Sequence, residues 1–423
     1  MRSCKHILGI LLSLFFLSSC TPAEPGSSNS PGTPSPVGTA PGGEAQPTKA
    51  PNYLSDPKFD TKDPLPQYDH DNSWTHLLGS STNCATEDTL YFKLTDQNHQ
   101  YIGYVDLATG ISGPLCGKPE CLHNDEQCNA YMRMGHPGGW SIYDGKLYWI
   151  ELDENWEPAV YCINLDGTNR ATVCPIDDSW FRRITGNPTF AFHRGYAIIA
   201  GKGEMVADGV AGRGVLVYAV SLSTGEATAI LERSVDAETI PAIIAVPFRD
   251  MLYLAYTEET GEQRRLDISV WSLKTHETTL LYSQMTDILP EELWPTEEGI
   301  LLSDGLGGGV YKFDPATGKL VLQFDGSSNG KEWYRPRFAI GYVISWTLNE
   351  ARIPHILATD LEGNLVYSED LDLSNWPTQG NGYRLMGADD RNLYIWYKSA
   401  IAQIPLDGGG MVRELWSGEQ PRG

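Results

Sequence analysis

The sequence predicts an all-β protein, a β-propeller of seven four-stranded blades that follows a disordered N-terminal tether. Two observations support the fold: the stretch Ser141–Cys174 has the pattern of one blade, and diverged copies of it recur to the C-terminus. No segment with helical periodicity longer than a turn or two competes, apart from Asp287–Leu293, which we predict to be a short linking helix. Apolar residues make up 41% of the chain, enough for a large core, and we assign residues 73–423 to the propeller.

The blade pattern is clearest where turn signals separate alternating apolar residues. Asp144-Gly145 and Asp166-Gly167 are two-residue turn signals of the kind that join antiparallel strands. The strands predicted around them are rich in Tyr, Trp, Val and Ile, and they are Lys146–Leu152, Ala159–Leu165 and Arg170–Cys174. Short strands joined in this way form an antiparallel meander.

An apolar strand that ends in a turn of Asp, Thr and Gly recurs seven times, at intervals of about 42 to 58 residues. The copies are YVDLATG at Tyr104, CINLDGT at Cys162, AVSLSTG at Ala219, WSLKTHE at Trp271, KFDPATG at Lys312, ATDLEGN at Ala358 and IPLDGGG at Ile404. One sheet cannot bury both of its faces alone, so seven sheets are predicted to stack around an axis.

The last repeat supplies all four of its strands from the C-terminal segment, predicted as Tyr383–Ala388, Asn392–Lys398, Ala400–Leu406 and Val412–Trp416. We therefore expect the last blade to close the ring by packing face to face on the first. The alternative is that Trp74–Leu78 pairs onto the rim of the last blade.

The N-terminus has the features of an export signal. Arg2 and Lys5 precede the apolar run Ile7–Leu17, which is too short to span a bilayer. Leu17-Ser18-Ser19-Cys20 then resembles the lipobox of bacterial lipoproteins, the alternative being an ordinary secretory signal with an incidental cysteine. The resemblance implies that residues 1–19 are removed and that Cys20 carries acyl chains, palmitate among them, which hold the protein on the extracellular side of the cell membrane.

The segment after Cys20 consists almost entirely of Pro, Gly, Ser, Thr and Ala up to about Pro51, and it stays polar to Asn72. Such a composition cannot build a core, so residues 20–72 are predicted to be a disordered, semi-extended linker. The tether and the repeats from about residue 80 to 416 together resemble exported bacterial proteins with seven- or eight-bladed propellers, including tethered lipoproteins of Gram-positive anaerobes.

A cysteine-rich insert, LCGKPECLHNDEQCNAYM, lies between the first and second blades and is similar to an insert in those tethered lipoproteins. Its three thiols and one imidazole, from Cys116, Cys121, His123 and Cys128, make a complete tetrahedral set for a structural zinc ion. Disulfides are the alternative, with Cys84 making an even number of four, and free thiols are a third state. In either bonded form the insert is predicted to be a stapled loop.

A second pair of cysteines is predicted on the outer hairpin of the second blade. If Asp166 and Arg170 pair across a three-residue turn, Cys162 faces Cys174 on the neighbouring strand. The sequence then predicts a disulfide between them, the alternative being two small buried apolar side chains.

The charge balance and the motifs narrow the classes of function. There are 54 Asp and Glu against 31 Lys and Arg, a net charge of −23, and loss of Arg2 and Lys5 with the signal peptide makes this −25. Nucleic acid would be repelled and is excluded as a partner. No nucleophile elbow, zinc-protease, Walker or Rossmann motif occurs, so we predict no catalytic residue.

The interpretation favoured by the sequence is a monomeric cell-surface module that binds or scaffolds an extracellular protein, peptide or glycan. The alternative is a propeller enzyme directed at glycans or the cell wall, a lyase or a hydrolase. Assembly or quality control of other exported proteins is a third class.

The lipobox yields a direct test. Substitution Cys20→Ala removes the only thiol at the predicted cleavage site, so we expect the variant to lose its lipid and its retention on the membrane. The control is Cys4→Ala, which lies in the segment to be removed and should leave anchoring unchanged. Mass spectrometry of the mature N-terminus makes the measurement, and a Cys20→Ala protein still retained on the membrane would contradict the prediction.

Overall fold

The structure is a computed structural model, and it describes residues 83–86, 88–95, 99–133, 138–143, 145–207, 210–236, 238–325, 334–339, 341–348, 354–371, 383–388, 391–397, 400–407 and 412–417. The predicted signal peptide, Cys20 and the linker lie outside these residues. Within them, no helix is long and apolar enough to cross a membrane.

The described strands form seven antiparallel sheets, and each sheet is a meander that follows chain order. The first four blades comprise β1 Asn83–Ala85, β2 Thr89–Thr95, β3 Gln100–Asp106, β4 Ser112–Pro114 and β5 Tyr131–Met132; β6 Gly138–Tyr143, β7 Lys146–Leu152, β8 Pro158–Asn164 and β9 Ala171–Pro175; β10 Ile184–His193, β11 Tyr196–Ala207, β12 Val210–Ser221 and β13 Ala227–Val235; β14 Thr239–Phe248, β15 Met251–Thr260, β16 Gln263–Ser272 and β17 Thr278–Met285.

The remaining three blades comprise β18 Pro290–Thr296, β19 Gly299–Asp304, β20 Gly309–Asp314 and β21 Lys319–Asp325; β22 Tyr334–Ala339, β23 Tyr342–Leu348, β24 Pro354–Asp360 and β25 Leu365–Asp370; β26 Tyr383–Ala388, β27 Asn392–Tyr397, β28 Ala400–Pro405 and β29 Arg413–Ser417. The seven-bladed all-β propeller predicted from the repeats is therefore confirmed.

The apolar core lies between the blades. Each cluster of buried apolar side chains joins neighbouring sheets: Tyr148 of the second blade packs with Phe192 of the third, and Trp294 of the fifth blade with Phe338 of the sixth. The first strands of successive blades also contact one another, which places these strands nearest the axis. A sheet of this kind is buried on both faces, so its strands are apolar on both faces.

The ring closes by side-chain packing between the last blade and the first. The Phe92 ring on β2 lies 5.1 Å from that of Trp416 and 6.3 Å from that of Trp396. Asn83 donates a hydrogen bond of 2.8 Å to the carbonyl of Met386, and Arg413 donates one bond of 3.0 Å to each of the carbonyls of Leu107 and Ala108. The described strands of the last blade all come from the C-terminal segment, as expected for face-to-face closure. Trp74–Leu78, the alternative closing strand, lies outside the described residues.

The recurring Asp-Thr-Gly turn joins the third and fourth strands of a blade. Asp314 shows the geometry, because its carboxylate accepts hydrogen bonds of 2.8 Å from the Ala316 N–H and from the Thr317 hydroxyl. Gly318 then adopts a φ of 67°, and its N–H bonds back to the Asp314 carbonyl. These hydrogen bonds hold the pKa of Asp314 below its usual value. The aspartates are therefore turn-forming residues, as predicted.

The segment Asp287–Leu293 is not helical, and the predicted linking helix is wrong. Strand β18 begins at Pro290, and the side chains of Glu291 and Glu292 are buried. They are paired across the blade seam, where Arg337 of β22 lies 2.9 Å from Glu291 and 3.0 Å from Glu292. The one described helix is a single turn, α1 Asp178–Phe181, between the second and third blades.

Glu292 is the most enclosed charge in this seam. Its side chain accepts hydrogen bonds from the Arg337 guanidinium and from the Phe338 N–H. Burial raises the pKa of Glu292 to about 7, and the opposing charge of Arg337 limits the increase. The seam between the fifth and sixth blades therefore contains a carboxyl group that titrates near neutral pH.

Because Phe92 packs between the first and last blades, truncation of its side chain should lower the stability of the protein strongly. Phe92→Ala should lower the free energy of unfolding by about 3–5 kcal/mol, because it leaves a cavity where the first and last blades meet. The control Val321→Ala removes a side chain that is 57% exposed and should change stability by no more than about 0.5 kcal/mol. Urea denaturation measures both, and equal stability of the two variants would contradict this account of closure.

The buried carboxyl predicts a pH effect with a defined sign. A carboxyl whose pKa is higher in the folded state than in the unfolded state, here about 7 against 4.5, favours folding when protonated. Wild-type stability relative to Glu292→Gln should therefore fall as the pH rises from about 4.5 to 7 and then level off. The control Glu154→Gln, an exposed site, should follow the wild-type profile in urea denaturation. A wild-type profile parallel to that of Glu292→Gln would exclude this titration.

Candidate functional site

The cysteine-rich insert interrupts the outer strand of the first blade. Strand β4 pairs with the C-terminal part of β3, and β5 pairs with its N-terminal part, at Gln100 and Tyr101. The Leu115 N–H bonds to the Ile102 carbonyl, and the Ile102 N–H bonds to the Ala130 carbonyl, so both ends of the insert are held by the same residue of β3. The insert is thus a loop that leaves and re-enters one strand position.

The insert brings four metal-binding side chains together. The sulfur atoms of Cys116, Cys121 and Cys128 and a ring nitrogen of His123 all lie within 4.8 Å of one another. His123 Nδ1 lies 3.3 Å from Cys128 Sγ. Cys128 is buried, and the other three are half-buried. Among the described residues this is the one group of His, Cys, Asp and Glu side chains with such geometry.

Tight turns build this arrangement. The Cys121 N–H bonds to the Lys118 carbonyl at 3.3 Å, and the Cys128 N–H bonds to the Asp125 carbonyl at 3.1 Å. His123, between these turns, has a φ of 53°, in the left-handed region that residues other than glycine rarely adopt. The Lys118 ammonium bonds to the carbonyl of Gln127 and so ties the two ends of the loop together.

Burial and hydrogen bonds shift the pKa values of Cys116, Cys128 and His123 in the cluster. Burial opposes ionisation of Cys116, but the backbone N–H groups of Lys118 and Asn129 and the neighbouring thiols outweigh it and lower the pKa of Cys116. Burial raises the pKa of Cys128 to about 12 and lowers the pKa of His123. Of Cys116 and Cys128, therefore, the thiol of Cys116 ionises more readily.

The insert is docked on the second blade. The Gly117 N–H and the Asn129 side-chain amide both donate to the Gly167 carbonyl, at 2.9 and 2.8 Å. A Cβ atom at Gly167 would lie 2.7 Å from the Cys116 nitrogen, and the φ of this residue is 77°, so the contact requires glycine. This contact could not be predicted from the sequence, because a glycine at position 167 is explained equally well by its own turn.

Arg170 fixes the same contact from the β8–β9 hairpin. Its guanidinium donates to the carbonyls of Asn129 and Tyr131 and lies 3.2 Å from a carboxylate oxygen of Glu151. The group also stacks over the Trp149 ring at 5.3 Å. A charged side chain packed in this way holds the end of the insert against the second blade.

Cys84 does not belong to the cluster of the insert. It lies on β1 opposite Tyr91 and is wholly buried in the first blade. It is absent from the group of four donors, which contains three thiols and one imidazole. The four-cysteine alternative expected Cys84 to lie with the three cysteines of the insert, and the structure places it outside their group.

The predicted pairing of Cys162 with Cys174 is wrong in register. Cys162 pairs with Ala171, and Cys174 pairs with Val160. The turn closes through the Asn164 N–H on the Thr168 carbonyl, in place of the predicted pairing of Asp166 with Arg170, and a bulge between Thr172 and Cys174 changes the register by one further residue. The two cysteines share one apolar face, and both are buried free thiols in the structure. Burial raises the pKa of Cys174 to about 11.

A cleft of about 470 Å³ lies where the fourth, fifth and sixth blades meet. Phe248, Trp294 and Leu301 form its apolar part, and the Trp294 ring stacks on Phe338 at 6.2 Å. Its polar lining has one ammonium and four carboxylates, from Lys312, Glu297, Glu298, Asp360 and Glu362. This cleft could not be predicted from the sequence, because its residues come from three repeats and share no local motif.

No family model matches the sequence, and no curated protein matches it. Solved structures do match. A structure from an analysis of two prolyl endopeptidases is 14% identical, with a TM-score of 0.53 over 82% of this chain and 50% of that one. The acylaminoacyl peptidase of Pyrococcus horikoshii is 11% identical, with a TM-score of 0.51 over 82% and 53% of the two chains.

A third match is the β-propeller domain of the Trilobed protease from Pyrococcus furiosus, at 10% identity and a TM-score of 0.48, over 82% of this chain and 98% of that one. The chain spans about half the length of the two peptidases that it matches. At these identities the similarity shows the propeller fold alone.

Proposed function

We propose that the protein is an exported, lipid-anchored binding module whose propeller holds an extracellular peptide or protein segment. The lipobox at Cys20 and the Pro-rich linker to Asn72 support the anchored location. The propeller supports binding, because rigid blades position loops from distant parts of the chain around shared clefts.

The cleft between the fourth, fifth and sixth blades is the observation that carries the binding role. It combines an apolar floor with an acidic rim, on which Glu297, Glu298 and Glu362 are exposed. Glu298 already lies 3.3 Å from the Lys312 ammonium, whereas Glu362 has no described ion pair. Such a site suits a segment with an apolar side chain next to Lys or Arg, because the apolar part loses water while the cation meets a carboxylate.

Reversal of one rim charge tests this proposal. A peptide library displayed against the mature protein should yield ligands with Lys or Arg beside an apolar residue. Glu362→Lys should weaken their binding by about tenfold or more, because it replaces attraction by repulsion at the rim. Calorimetric titration measures the affinities, and the matched control Glu154→Lys, an exposed site in the second blade, should leave them unchanged.

Three outcomes would count against the proposed ligand class: selection of ligands without basic residues, selection of glycans in place of peptides on a parallel array, or equal affinities of wild type and Glu362→Lys. Anchoring is measured separately, through Cys20, so failure of one part does not obscure the other.

A further inference from the structure

The insert contains a complete ligand set for one metal ion. Three sulfur atoms and one imidazole nitrogen within 4.8 Å of one another match the number and the type of ligands in closed zinc sites. In a tetrahedral site with Zn–S bonds of about 2.3 Å, neighbouring sulfur atoms lie about 3.8 Å apart. Side-chain shifts of about 1 Å or less would therefore bring all four atoms onto one ion.

Disulfide bonding does not account for the arrangement. Three cysteines converge, so one disulfide among them would leave one thiol and the imidazole of His123 without a role. Cys84, which would make the number even, lies on β1 opposite Tyr91 and outside the group. A metal ion uses all four donors, and a disulfide uses two.

The backbone of the insert is arranged for ligands on one side of the loop. The left-handed φ of His123, at 53°, turns its ring toward Cys128, with Nδ1 at 3.3 Å from the sulfur. Unusual backbone conformations of this kind concentrate at ligand sites, where the surrounding structure maintains them. The N–H groups of Lys118 and Asn129 face the Cys116 sulfur and would stabilise a metal-bound thiolate.

Between Gly117 and Gln127, Cys121 is the one residue of the insert that packs against an apolar core cluster. Leu122 is 81% exposed, and the segment from Gly117 to Glu120 is exposed throughout. Its fixed points are hydrogen bonds to Gly167 and Arg170 of the second blade, and these require that Gly117 and Asn129 stay at a set separation. A cross-link inside the loop supplies that constraint.

We propose that Cys116, Cys121, His123 and Cys128 bind one Zn²⁺ ion in a closed structural site that clamps the first blade to the second. Three protons leave the thiols on binding, His123 ligates through Nδ1 as neutral imidazole, and the site carries one negative charge. Four protein ligands leave no position for a substrate, so the ion maintains the loop and performs no reaction. The proposal is independent of the ligand cleft.

Metal content and thiol content together test the proposal. The mature protein, without Cys4 and with Cys20 acylated, should contain about one zinc per chain when purified in detergent without chelator. After chelation and unfolding it should show six titratable thiols, those of Cys84, Cys116, Cys121, Cys128, Cys162 and Cys174. Cobalt exchanged into the site should show the absorption of tetrahedral thiolate coordination. Absence of zinc, or four thiols in place of six, would overturn the proposal.

Matched substitutions locate the ion. Cys121→Ala should weaken zinc binding by at least about a hundredfold, since loss of even an outer-shell partner costs about 10- to 100-fold. The control Cys174→Ala removes a buried thiol outside the cluster and should retain one zinc. If Cys121→Ala retains stoichiometric zinc, or both variants lose it equally, the assigned ligands are wrong.

Limited proteolysis of the wild-type protein tests the clamp without any substitution that could impair folding. Glu120 and Glu126 are exposed in the insert, so a glutamate-specific protease has access to them. Removal of zinc by a chelator should speed cleavage at these two sites by about tenfold or more, as the loop opens locally, and added zinc should reverse the effect. Equal cleavage rates with and without zinc would show that the ion does not hold the insert.

Discussion

The fold depends on one constraint, which is that each blade has two apolar faces and can cover neither by itself. Strands such as β8, buried along most of its length, need a neighbouring sheet on both sides, and only a closed ring provides two neighbours for every blade. Closure is therefore part of the core. The described last blade shares no strand with the first, so Phe92, Trp396 and Trp416 carry this contact by side-chain packing.

The first blade differs from the others because its outer strand is interrupted by the cysteine-rich insert. The buried cluster around Trp149 includes residues of the last, first and second blades, so the first blade is packed through one continuous core on both sides. On the second-blade side, Arg170 and Gly167 add polar contacts to the insert. The proposed metal ligands thus lie beside the seam between the first and second blades, and the apolar cluster of this seam continues to the last blade.

Polar groups within the seams are paired between blades. Arg337 bridges Glu291 and Glu292, and Arg233 of the third blade contacts Glu258 and Asp267 of the fourth. Such pairs are costly to desolvate, and removal of one partner leaves the other charge buried. The net gain in stability from such a pair is small, but separating its two partners costs free energy because a charge is left without a counter-charge. The pairs therefore couple neighbouring blades mainly through this cost.

The sequence by itself determined the features that depend on neighbouring residues. Turn formation at Asp314 and apolar alternation in Lys146–Leu152 depend on residues a few positions apart, so the number of blades and the order of their strands could be derived. The four donors from Cys116 to Cys128 also lie close enough in the chain to be recognised as one set. Tertiary structure alone decided the rest. The turn closes between Asn164 and Thr168, and this register separates Cys174 from Cys162. The segment with Glu291 and Glu292 pairs with β19 as a strand, and its carboxylates meet Arg337 of the next blade. The cleft draws on three blades, so it depends on contacts between residues that are distant in sequence.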